Sequence, residues 1–443
     1  MNPSFDEAFD CALESIHLQF PCPERDTTIV RDPFGILTII LPDGVLESSK
    51  LTFFATELHK KLGRFSPGIE RVVLEESDLI DRDDILDSRD RVYLPDTRRV
   101  FLVDRLITNQ DWLREPLTSR PPLPTGVFFS LKGGVGRSTA IAALARYLSK
   151  HGKKVLVIDL DLEAPGVGGM MLIEDAIPDL GFVDWCIESM TGKVGVELLE
   201  RMIARSILMS GTPGDILVVP AYGKKTKNYV AKVGRVYMPS LAKAETDNDC
   251  SLSTQGFADR ILSLLHAARG SIDPPDVVLI DARAGLHDIG SAAITQLGAE
   301  VFMFSRTDYQ NRQGLVRLFD HLKLARSVRF GMPDGDLRWH LKMVAAQIDG
   351  TIGSFSDAIE QSYETWEHFY DDERMGFDAT VFEKDDKDAP HYPLPITFDP
   401  RIRGVDFLDS MRRPTDEMMD SVFGEFVRKA AIRIFEASSG FRP

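Results

Sequence analysis

The chain has 443 residues, of which 52 are Lys or Arg and 68 are Asp or Glu, so its formal net charge is −16. Apolar residues make up 43% and charged residues 27%, a globular composition that excludes collagen-like, disulfide-scaffold and wholly disordered chains. The excess of acid disfavours nucleic-acid binding through overall charge, because phosphates attract positive surfaces, although it leaves a local basic patch open. At about 150 residues per domain, the length sets a soft prior of three domains.

The 4 cysteines are scattered and form no CxxC pair, which disfavours a zinc site or a disulfide framework and suits a reducing cytosol. The N-terminus is acidic and lacks the basic and apolar regions of a secretory signal. No apolar run approaches the roughly 18 residues that a membrane-spanning helix needs. We therefore expect a cytoplasmic protein without an integral membrane segment.

Three prolines within residues 119–126 remove backbone donors and fix φ, so neither a helix nor a sheet is expected to run through. We predict a linker there, between a small α+β module at 1–118 and a larger domain at 127–443. The N-terminal module contains no recognisable site chemistry, and its role is unknown. Its strand signals lie at 36–41, 72–74 and 100–103, its helix signal at 51–62 and an Asp-rich solvated loop at 78–90.

After residue 126 the pattern changes to short, almost continuous runs of Val, Ile, Leu and Phe. Such runs indicate strands that are buried on both faces, as in a parallel sheet covered by helices. We therefore predict an α/β fold with a mostly parallel, doubly wound sheet, in which ligands bind beyond the carboxyl ends of the strands. The predicted strands are 127–130, 155–158, 216–219, 277–280, 301–304 and 341–348.

A glycine-rich loop, KGGVGRST at 132–139, lies between the first of these strands and a helix predicted at 138–151. Glycines let several backbone N–H groups point at one anion, and the helix N-terminus adds its positive end. The Ser138 hydroxyl can bind Mg²⁺ and Thr139 can reach a phosphate oxygen. We predict a phosphate-binding loop in preference to a Gly-rich turn that binds nothing. Its residues are Lys132, Gly133, Gly134, Val135, Gly136, Arg137, Ser138 and Thr139.

This loop resembles the deviant Walker A loop, KGGxGK[ST]T, of the ParA/MinD family of SIMIBI-class P-loop ATPases, and most closely a group of ParA-like bacterial ATPases with a KGGVGR variant. The resemblance covers roughly residues 126–440. It implies that Lys132 is the signature lysine, which contacts phosphates across a nucleotide-sandwich dimer. Arg137 stands where the family has its second lysine. Arginine keeps a permanent charge and two-pronged donors but is bulkier, so nucleotide binding could survive while hydrolysis slows.

The segment DLDLEAPG at 159–166 resembles the family's switch I, DxDxxxxG. The resemblance implies that Asp161 orients or activates a water and that Asp159 supports the magnesium shell. The strand period of two places both carboxylates on one side. The alternative interpretation is a solvated turn at the end of a strand.

The segment DVVLIDARAG at 276–285 resembles the Walker B and switch II region, hhhhDxxxG. The resemblance implies that Asp281 holds Mg²⁺ through a water and that Gly285 lets the loop approach the γ-phosphate. Arg283 either senses phosphate or pairs with a carboxylate, and the sequence leaves both open. His287 is interpreted as structural.

Three later features bear on the nucleotide. Thr307 and Asp308 fit the family's short polar turn, and 395–401 resembles its late segment beside the base. Gln347 stands where the family often has the Asn that reads adenine, so the choice between adenine and guanine is less secure than phosphate binding.

Two insertions are predicted, at about 223–255 and 350–392. The first interleaves Lys and Tyr, which indicates either a nucleic-acid or partner surface or, preferably, a mobile solvated segment. The second places aromatic residues beside an acidic run, which indicates a protein interface or a locally packed lid. The amphipathic stretch 416–435 is interpreted as a core-packing helix in preference to a membrane-seeking one. Arg401, Arg403, Arg412 and Arg413 precede it and give a minority DNA-binding interpretation.

Together these features predict a nucleotide switch that binds and hydrolyses ATP with Mg²⁺ and forms a homodimer on ATP binding. A protein partner would bind the N-terminal module or the insertions. The alternatives are a non-hydrolysing nucleotide-bound adaptor and a DNA-associated partition or anti-phage defence regulator, the latter disfavoured by the net charge. Catalytic roles are assigned to Lys132, Arg137 and Asp161, and metal binding to Ser138, Asp159 and Asp281.

Overall fold

The structure, a computed structural model, separates into two compact units, 1–115 and 116–443. The predicted assignment of domains to 1–118 and 127–443 stays a prediction. Within the larger unit the first strand begins at Thr125, inside the predicted linker. The described residues are 3–21, 24–80, 82–94, 97, 99–192, 194–238, 240–243, 252–323, 336–370 and 382–439.

The smaller unit combines one mixed five-stranded sheet with helices, in the order β3-β2-β1-β5-β4. The first strand runs antiparallel to β2 and parallel to β5. Its core joins apolar residues of the two long helices to those of the central strands. Its elements are α1 (Phe5–Gln19), β1 (Thr27–Arg31), β2 (Leu37–Leu41), α2 (Ser48–Leu62), α3 (Ile69–Val72), β3 (Val73–Glu75), α4 (Asp83–Leu86), β4 (Arg91–Tyr93) and β5 (Val100–Asp104).

The sequence-based elements of this unit are confirmed at β2, α2, β3 and β5. The patterns did not identify α1, β1 or β4. The predicted solvated loop at 78–90 contains the single-turn helix α4.

The larger unit contains an eight-stranded sheet in the order β15-β14-β13-β6-β12-β7-β9-β8, and a separate hairpin of β10 and β11. Its elements are β6 (Thr125–Ser130), α5 (Arg137–Lys150), β7 (Val155–Asp159), α6 (Val167–Met171), α7 (Phe182–Ser189), α8 (Val196–Glu200), β8 (Ala204–Arg205), β9 (Ile216–Val219), α9 (Tyr229–Val236), β10 (Ser240–Lys243), β11 (Leu252–Gln255), α10 (Phe257–Arg269), β12 (Val277–Asp281), α11 (Asp288–Ser291), β13 (Glu300–Ser305), α12 (Tyr309–Leu322), β14 (Leu341–Ile348), α13 (Ile352–Tyr370), β15 (Leu394–Thr397) and α14 (Asp416–Ser439).

Every neighbouring pair in the large sheet is parallel except β8 with β9. All residues of β6, β7 and β12 are buried, as expected for strands that are covered on both faces. The predicted α/β fold and all six predicted strands are thus confirmed, and β8 and β15 extend the sheet at its two edges.

The direction in which the sheet grows changes at β6, which lies between β12 and β13. At such a switch point the loops that follow the neighbouring strands diverge to opposite faces and leave a crevice at the carboxyl edge. Because β6, β7 and β12 are parallel, the loops that follow them all begin at this edge. They contain 131–136, 160–166 and 282–287.

The last helix, α14, packs into the core beneath the central strands. The ring of Phe426 is 6.2 Å from that of Phe128 and 5.9 Å from that of Phe302. The prediction of a core-packing helix is confirmed. Within the part of the chain that the structure describes, no helix is long and apolar enough to cross a membrane.

This packing gives a stability prediction. Phe426→Ala should lower the unfolding free energy of the larger unit by about 3–5 kcal/mol, because it opens a cavity among aromatic rings. Ile432→Ala is the matched control, since Ile432 is 55% exposed on the same helix and should cost less than about 1 kcal/mol. Urea unfolding measures both, and equal losses would contradict the buried position of Phe426.

Candidate functional site

The loop after β6 has the backbone that a phosphate cradle requires. Gly134 and Gly136 have φ values of +74° and +90°, in the left-handed region that favours glycine. A Cβ added at Gly133 or Gly134 would meet nothing within 4 Å, so the loop is open to close approach by a ligand. Val135 is buried and anchors it from below. The long helix α5 begins directly after Gly136, with its free N–H groups at the loop.

The side chain of Arg137 points into the protein and is only 8% exposed. Its Nη1 donates to Ser130 Oγ at 2.9 Å. Its Nη2 lies 3.6 Å from Asp161 Oδ2 and its Nε 3.6 Å from Asp281 Oδ1. The guanidinium therefore lies between the carboxylates that the sequence assigned to metal and water.

A hydrogen bond joins the side chains of Ser138 and Asp281. The Ser138 hydroxyl donates to Asp281 Oδ2 at 2.6 Å, while the buried Oδ1, 3.6 Å from Arg137, has no hydrogen-bond partner among the described residues. Burial raises the pKa of Asp281 to about 6, although the charge of Arg137 and the bond from Ser138 oppose the rise. An acceptor oxygen left over in a buried carboxylate is what a bound cation or its water would use.

Asp159 is fully buried at the end of β7, and both its oxygens accept backbone N–H groups. Oδ1 accepts from Asp161 at 3.1 Å and Oδ2 from Gly168 at 3.2 Å. Burial, with the neighbouring charge of Asp281, raises the pKa of Asp159 to about 7. The strand ends at Asp159, so the period of two does not extend to Asp161. A hydrogen bond instead holds the two residues together.

Asp161 has a side chain that is 15% exposed, and its Oδ1 accepts the Ala164 N–H at 3.2 Å. Burial raises its pKa, while the Ala164 N–H and the charge of Arg137 lower it. Asp161 is therefore a partly buried carboxylate at the edge of the site, whereas residues 163–165 of the same turn are exposed.

The loop after β12 is fixed to β6, because the Gly285 N–H donates to the Ser130 carbonyl at 2.9 Å. Gly285 has φ +99°, which only glycine adopts readily. Arg283 pairs with a carboxylate, which is one of the two roles that the sequence left open: its Nη1 lies 2.8 Å from Glu163 Oε1. His287 lies directly before α11, and its N–H donates to the Gly285 carbonyl at 3.1 Å.

Lys132 lies at the rim of the loop, where its Nζ donates to Oε1 of Gln310 on α12. The predicted polar turn at Thr307 and Asp308 forms the start of this helix, and Asp308 accepts the Asn311 N–H at 2.9 Å. Sequence patterns gave no indication of Gln310, because a lone glutamine in a first helical turn carries no motif.

Gln347 contacts the phosphate loop in a way that the sequence did not predict. Its Nε2 donates to the Gly134 carbonyl at 2.9 Å. Its backbone has φ +60°, at an irregularity in the pairing of β14 with β15 between Ala346 and Ile348. A left-handed residue other than glycine costs roughly 1 kcal/mol. The segment 395–401 continues β15, with Arg401 Nη2 paired to Asp399 at 2.6 Å.

The donor groups of the site suit magnesium. Among the described residues, no three His, Cys, Asp or Glu side chains converge as a metal cage. The Ser138 hydroxyl and the unbonded oxygen of Asp281 are hard donors. Mg²⁺ is commonly held by one or two such groups together with waters and substrate phosphates, so the residues fit it.

The first insertion is ordered where the structure describes it. Lys225 pairs with Asp179 at 2.7 Å, and Lys232 pairs with Asp184. The Nζ of Lys224 donates to the Asp175 carbonyl at 2.7 Å. Carboxylates thus neutralise two of the basic side chains, while most residues of 224–235 are exposed. The interpretation as a mobile solvated segment stays a prediction. Residues 239 and 244–251 and the side chain of Lys243 lie outside the described residues.

The aromatic residues of the second insertion are packed inside. Trp366 and Phe369 are fully buried, and the Phe369 ring stacks on Phe319 at 4.6 Å. Of the two alternatives, local packing therefore holds for these residues. Residues 371–381 lie outside the description.

The arginines before α14 bond to their own segment. Arg412 Nε pairs with Asp409 at 2.8 Å, and Arg413 Nε donates to the Phe407 carbonyl at 2.9 Å. The side chain of Arg403 lies outside the described residues. Because the side chains of Arg401 and Arg412 are still mostly exposed, the DNA-binding interpretation stays a prediction.

Residues 127–361, just over half of the chain, match the model of the family described as CobQ/CobB/MinD/ParA nucleotide binding domain. The chain belongs to this family. The matched residues lie within the larger unit described above. The iron–sulfur cluster carrier protein of Methanocaldococcus jannaschii is 44% identical over 55 residues, which are 12% of this chain and 19% of that protein. The match thus spans about a fifth of the relative's length.

Several solved structures are similar to this chain. The pNOB8 ParA structure bound to nonspecific DNA has 16% identity, covers 71% of this chain and 98% of its own, and has a TM-score of 0.41. Cobyrinic acid a,c-diamide synthase from Mycobacterium smegmatis with an ATP analogue and magnesium has 15% identity, 72% and 97% coverage and a TM-score of 0.40. A ParA family ATPase from Chlorobium tepidum has 14% identity, 73% and 99% coverage and a TM-score of 0.39.

The buried carboxylates give a pH prediction for protein free of nucleotide and Mg²⁺. An unfolded Asp has a pKa of about 3.9, so between about pH 4 and 7 the folded state binds more protons, and stability falls as pH rises through that window. Asp281→Asn removes one such acid and the like charge beside Asp159. The slope of unfolding free energy against pH should therefore fall by about half or more.

Chemical unfolding at several pH values between 5 and 7 measures this slope. Asp175→Asn is the matched control, because Asp175 is exposed and its variant should keep the parent slope. An unchanged slope in Asp281→Asn would contradict the buried ionisable position of Asp281.

Proposed function

We propose that this chain is an ATP- and Mg²⁺-dependent nucleotide switch of the ParA/MinD type that hydrolyses ATP slowly. One observation carries the proposal. Beneath an open, glycine-lined loop, the hydroxyl of Ser138 is bonded to Asp281, and Arg137 lies between Asp281 and Asp161. Membership of a nucleotide-binding family supports the same assignment.

Binding would use the loop as a cradle for phosphate oxygens. The N–H groups of 133–139 and the N-terminus of α5 supply donors, and Lys132 at the rim supplies a charge. Ser138 and Asp281 would hold Mg²⁺, which when bound offsets phosphate charge. Gly285, whose φ lies in the left-handed region, would let its loop approach the terminal phosphate.

Hydrolysis would depend on Asp161. Phosphoryl transfer relies mainly on positioning and electrostatic stabilisation, so a carboxylate that orients one water suffices as the protein's base. Arg137 would turn from the carboxylates to the phosphates when nucleotide enters. That exchange breaks its contacts with Ser130, Asp161 and Asp281, which is the physical reason to expect slow turnover.

A second candidate is a non-hydrolysing adaptor that keeps its nucleotide. The same three contacts of Arg137 favour it, because a guanidinium held by two carboxylates is not poised on the transferred phosphate. Release of phosphate over time separates the two candidates.

In both candidate functions the protein would act as a homodimer that forms when ATP binds. Lys132 lies at the rim, from which it would reach the phosphates of a second copy in an ATP-dependent homodimer. The unit at 1–115 or the insertions would present the surface for a protein partner.

The loop assignment can be tested by nucleotide titration. Lys132→Ala and Arg137→Ala should each weaken ATP binding about tenfold or more, because each removes a positive charge from the phosphates. Lys150→Ala is the matched control, since Lys150 lies at the far end of α5 and pairs with Asp416 at 2.7 Å. If both loop variants bind ATP as well as the parent, the loop assignment is wrong.

The role of Asp161 can be tested by turnover. Asp161→Ala should keep ATP binding within a few-fold and lower phosphate release about a hundredfold, because the group that orients the water is gone. Asp175→Ala, which removes an exposed carboxylate, should turn over as the parent does. Unchanged turnover in Asp161→Ala would remove its role, and no release from the parent would favour the adaptor.

A further inference from the structure

The first insertion reaches into the candidate site through two tyrosines at the ends of α9. The hydroxyl of Tyr229 donates to the Leu162 carbonyl at 2.6 Å. The hydroxyl of Tyr237 donates to Glu163 Oε1 at 2.7 Å. Leu162 and Glu163 directly follow Asp161, so both bonds hold the loop 160–166.

Glu163 joins three segments of the chain. The oxygen that accepts from Tyr237 also lies 2.8 Å from Nη1 of Arg283, in the loop after β12. Hydrogen bonds to a charged acceptor are shorter and stronger than neutral ones. The insertion and the two loops that flank the site thus meet at one carboxylate.

The tyrosines remain donors over the ordinary pH range. Burial raises the pKa of Tyr229, and burial together with the charge of Glu163 raises the pKa of Tyr237. Neither hydroxyl loses its proton near neutrality, so both bonds persist wherever the insertion is in place.

Contacts with α10 and α7 fix the insertion on the side away from the loop 160–166. Arg260 on α10 is 1% exposed, and it donates to the carbonyls of Val236 and, at 2.6 Å, Met238. Lys232 of α9 pairs with Asp184, which is also 1% exposed. A helix fixed on two sides can transmit a constraint to the loop that its tyrosines contact.

We propose that Tyr229, Tyr237 and Glu163 are positioning residues that set the conformation of the loop 160–166 and thereby the placement of Asp161. They act on Asp161 through the loop. The consequence for turnover rests on the proposed function, whereas the consequence for the loop itself does not.

Hydrogen–deuterium exchange on the full chain without nucleotide tests the loop. The double variant Tyr229→Phe/Tyr237→Phe should exchange the amides of 160–166 about tenfold faster than the parent. Tyr222→Phe is the matched control: its ring contacts Tyr229, and no hydrogen bond joins its hydroxyl to another described residue. It should exchange as the parent does.

Turnover provides the second readout. The double variant should lower kcat for ATP about tenfold while KM stays within about twofold, because positioning acts on the reacting geometry more than on binding. Glu163→Ala removes the acceptor that Tyr237 and Arg283 share but keeps the Tyr229 bond to the Leu162 carbonyl. It should exchange faster than the parent, though less so than the double variant, and it decides the question if the double variant does not fold.

The proposal is overturned if the amides of 160–166 exchange in the double variant at the rate of the Tyr222→Phe control. If the double variant does not fold, the same result in Glu163→Ala overturns it. If the parent binds no ATP, the proposed function fails, but the exchange result still decides whether the tyrosines position the loop.

Discussion

The guanidinium of Arg137 is the interaction on which the rest of the site depends. Three carboxylates are gathered at the carboxyl edge of the sheet, and burial alone makes their ionisation unfavourable. Arg137 lies 3.6 Å from two of them and lowers the pKa that burial raises in Asp281. A buried ion pair contributes little net stability, but removal of one partner leaves a costly unpaired charge. Any ligand that draws Arg137 away must therefore bring a positive charge, or a proton must neutralise the acids.

The fold creates this concentration of charge through strand register. Asp159 and Asp281 are direct partners in the parallel pair of β7 and β12, although they are distant in sequence. The third acid, Asp161, is tied to Asp159 by a backbone bond. The glycine loop that we propose as the phosphate cradle begins at β6, on the other side of β12. Parallel pairing thus places an anion cradle and its acidic counterparts on one edge, which is where an open α/β sheet forms its crevice.

The sequence predicted what depends on local pattern. The six buried strands, the glycine loop and the last helix each have a period or composition that can be read from neighbouring residues. The direction of Arg137, the left-handed Gln347 and the contacts of Tyr229 and Tyr237 could not be predicted, because they depend on partners far away in the chain. The helix α1 was missed although Ser4 and Glu7 form a capping box that marks its start. The short β15 contains Pro395, which weakens any strand signal.

The packing of α14 beneath the central sheet has a consequence for how the protein is made. Phe128 of the strand that leads into the phosphate loop contacts Phe426, which follows it by almost three hundred residues. At about 5–20 residues per second, the ribosome needs roughly 15–60 seconds to synthesise the chain from Phe128 to Phe426. During that time the aromatic side chains of β6 and β13 lack their final neighbour, and exposed apolar surface of this kind favours aggregation. The nascent chain therefore needs protection from aggregation more than the folded protein does.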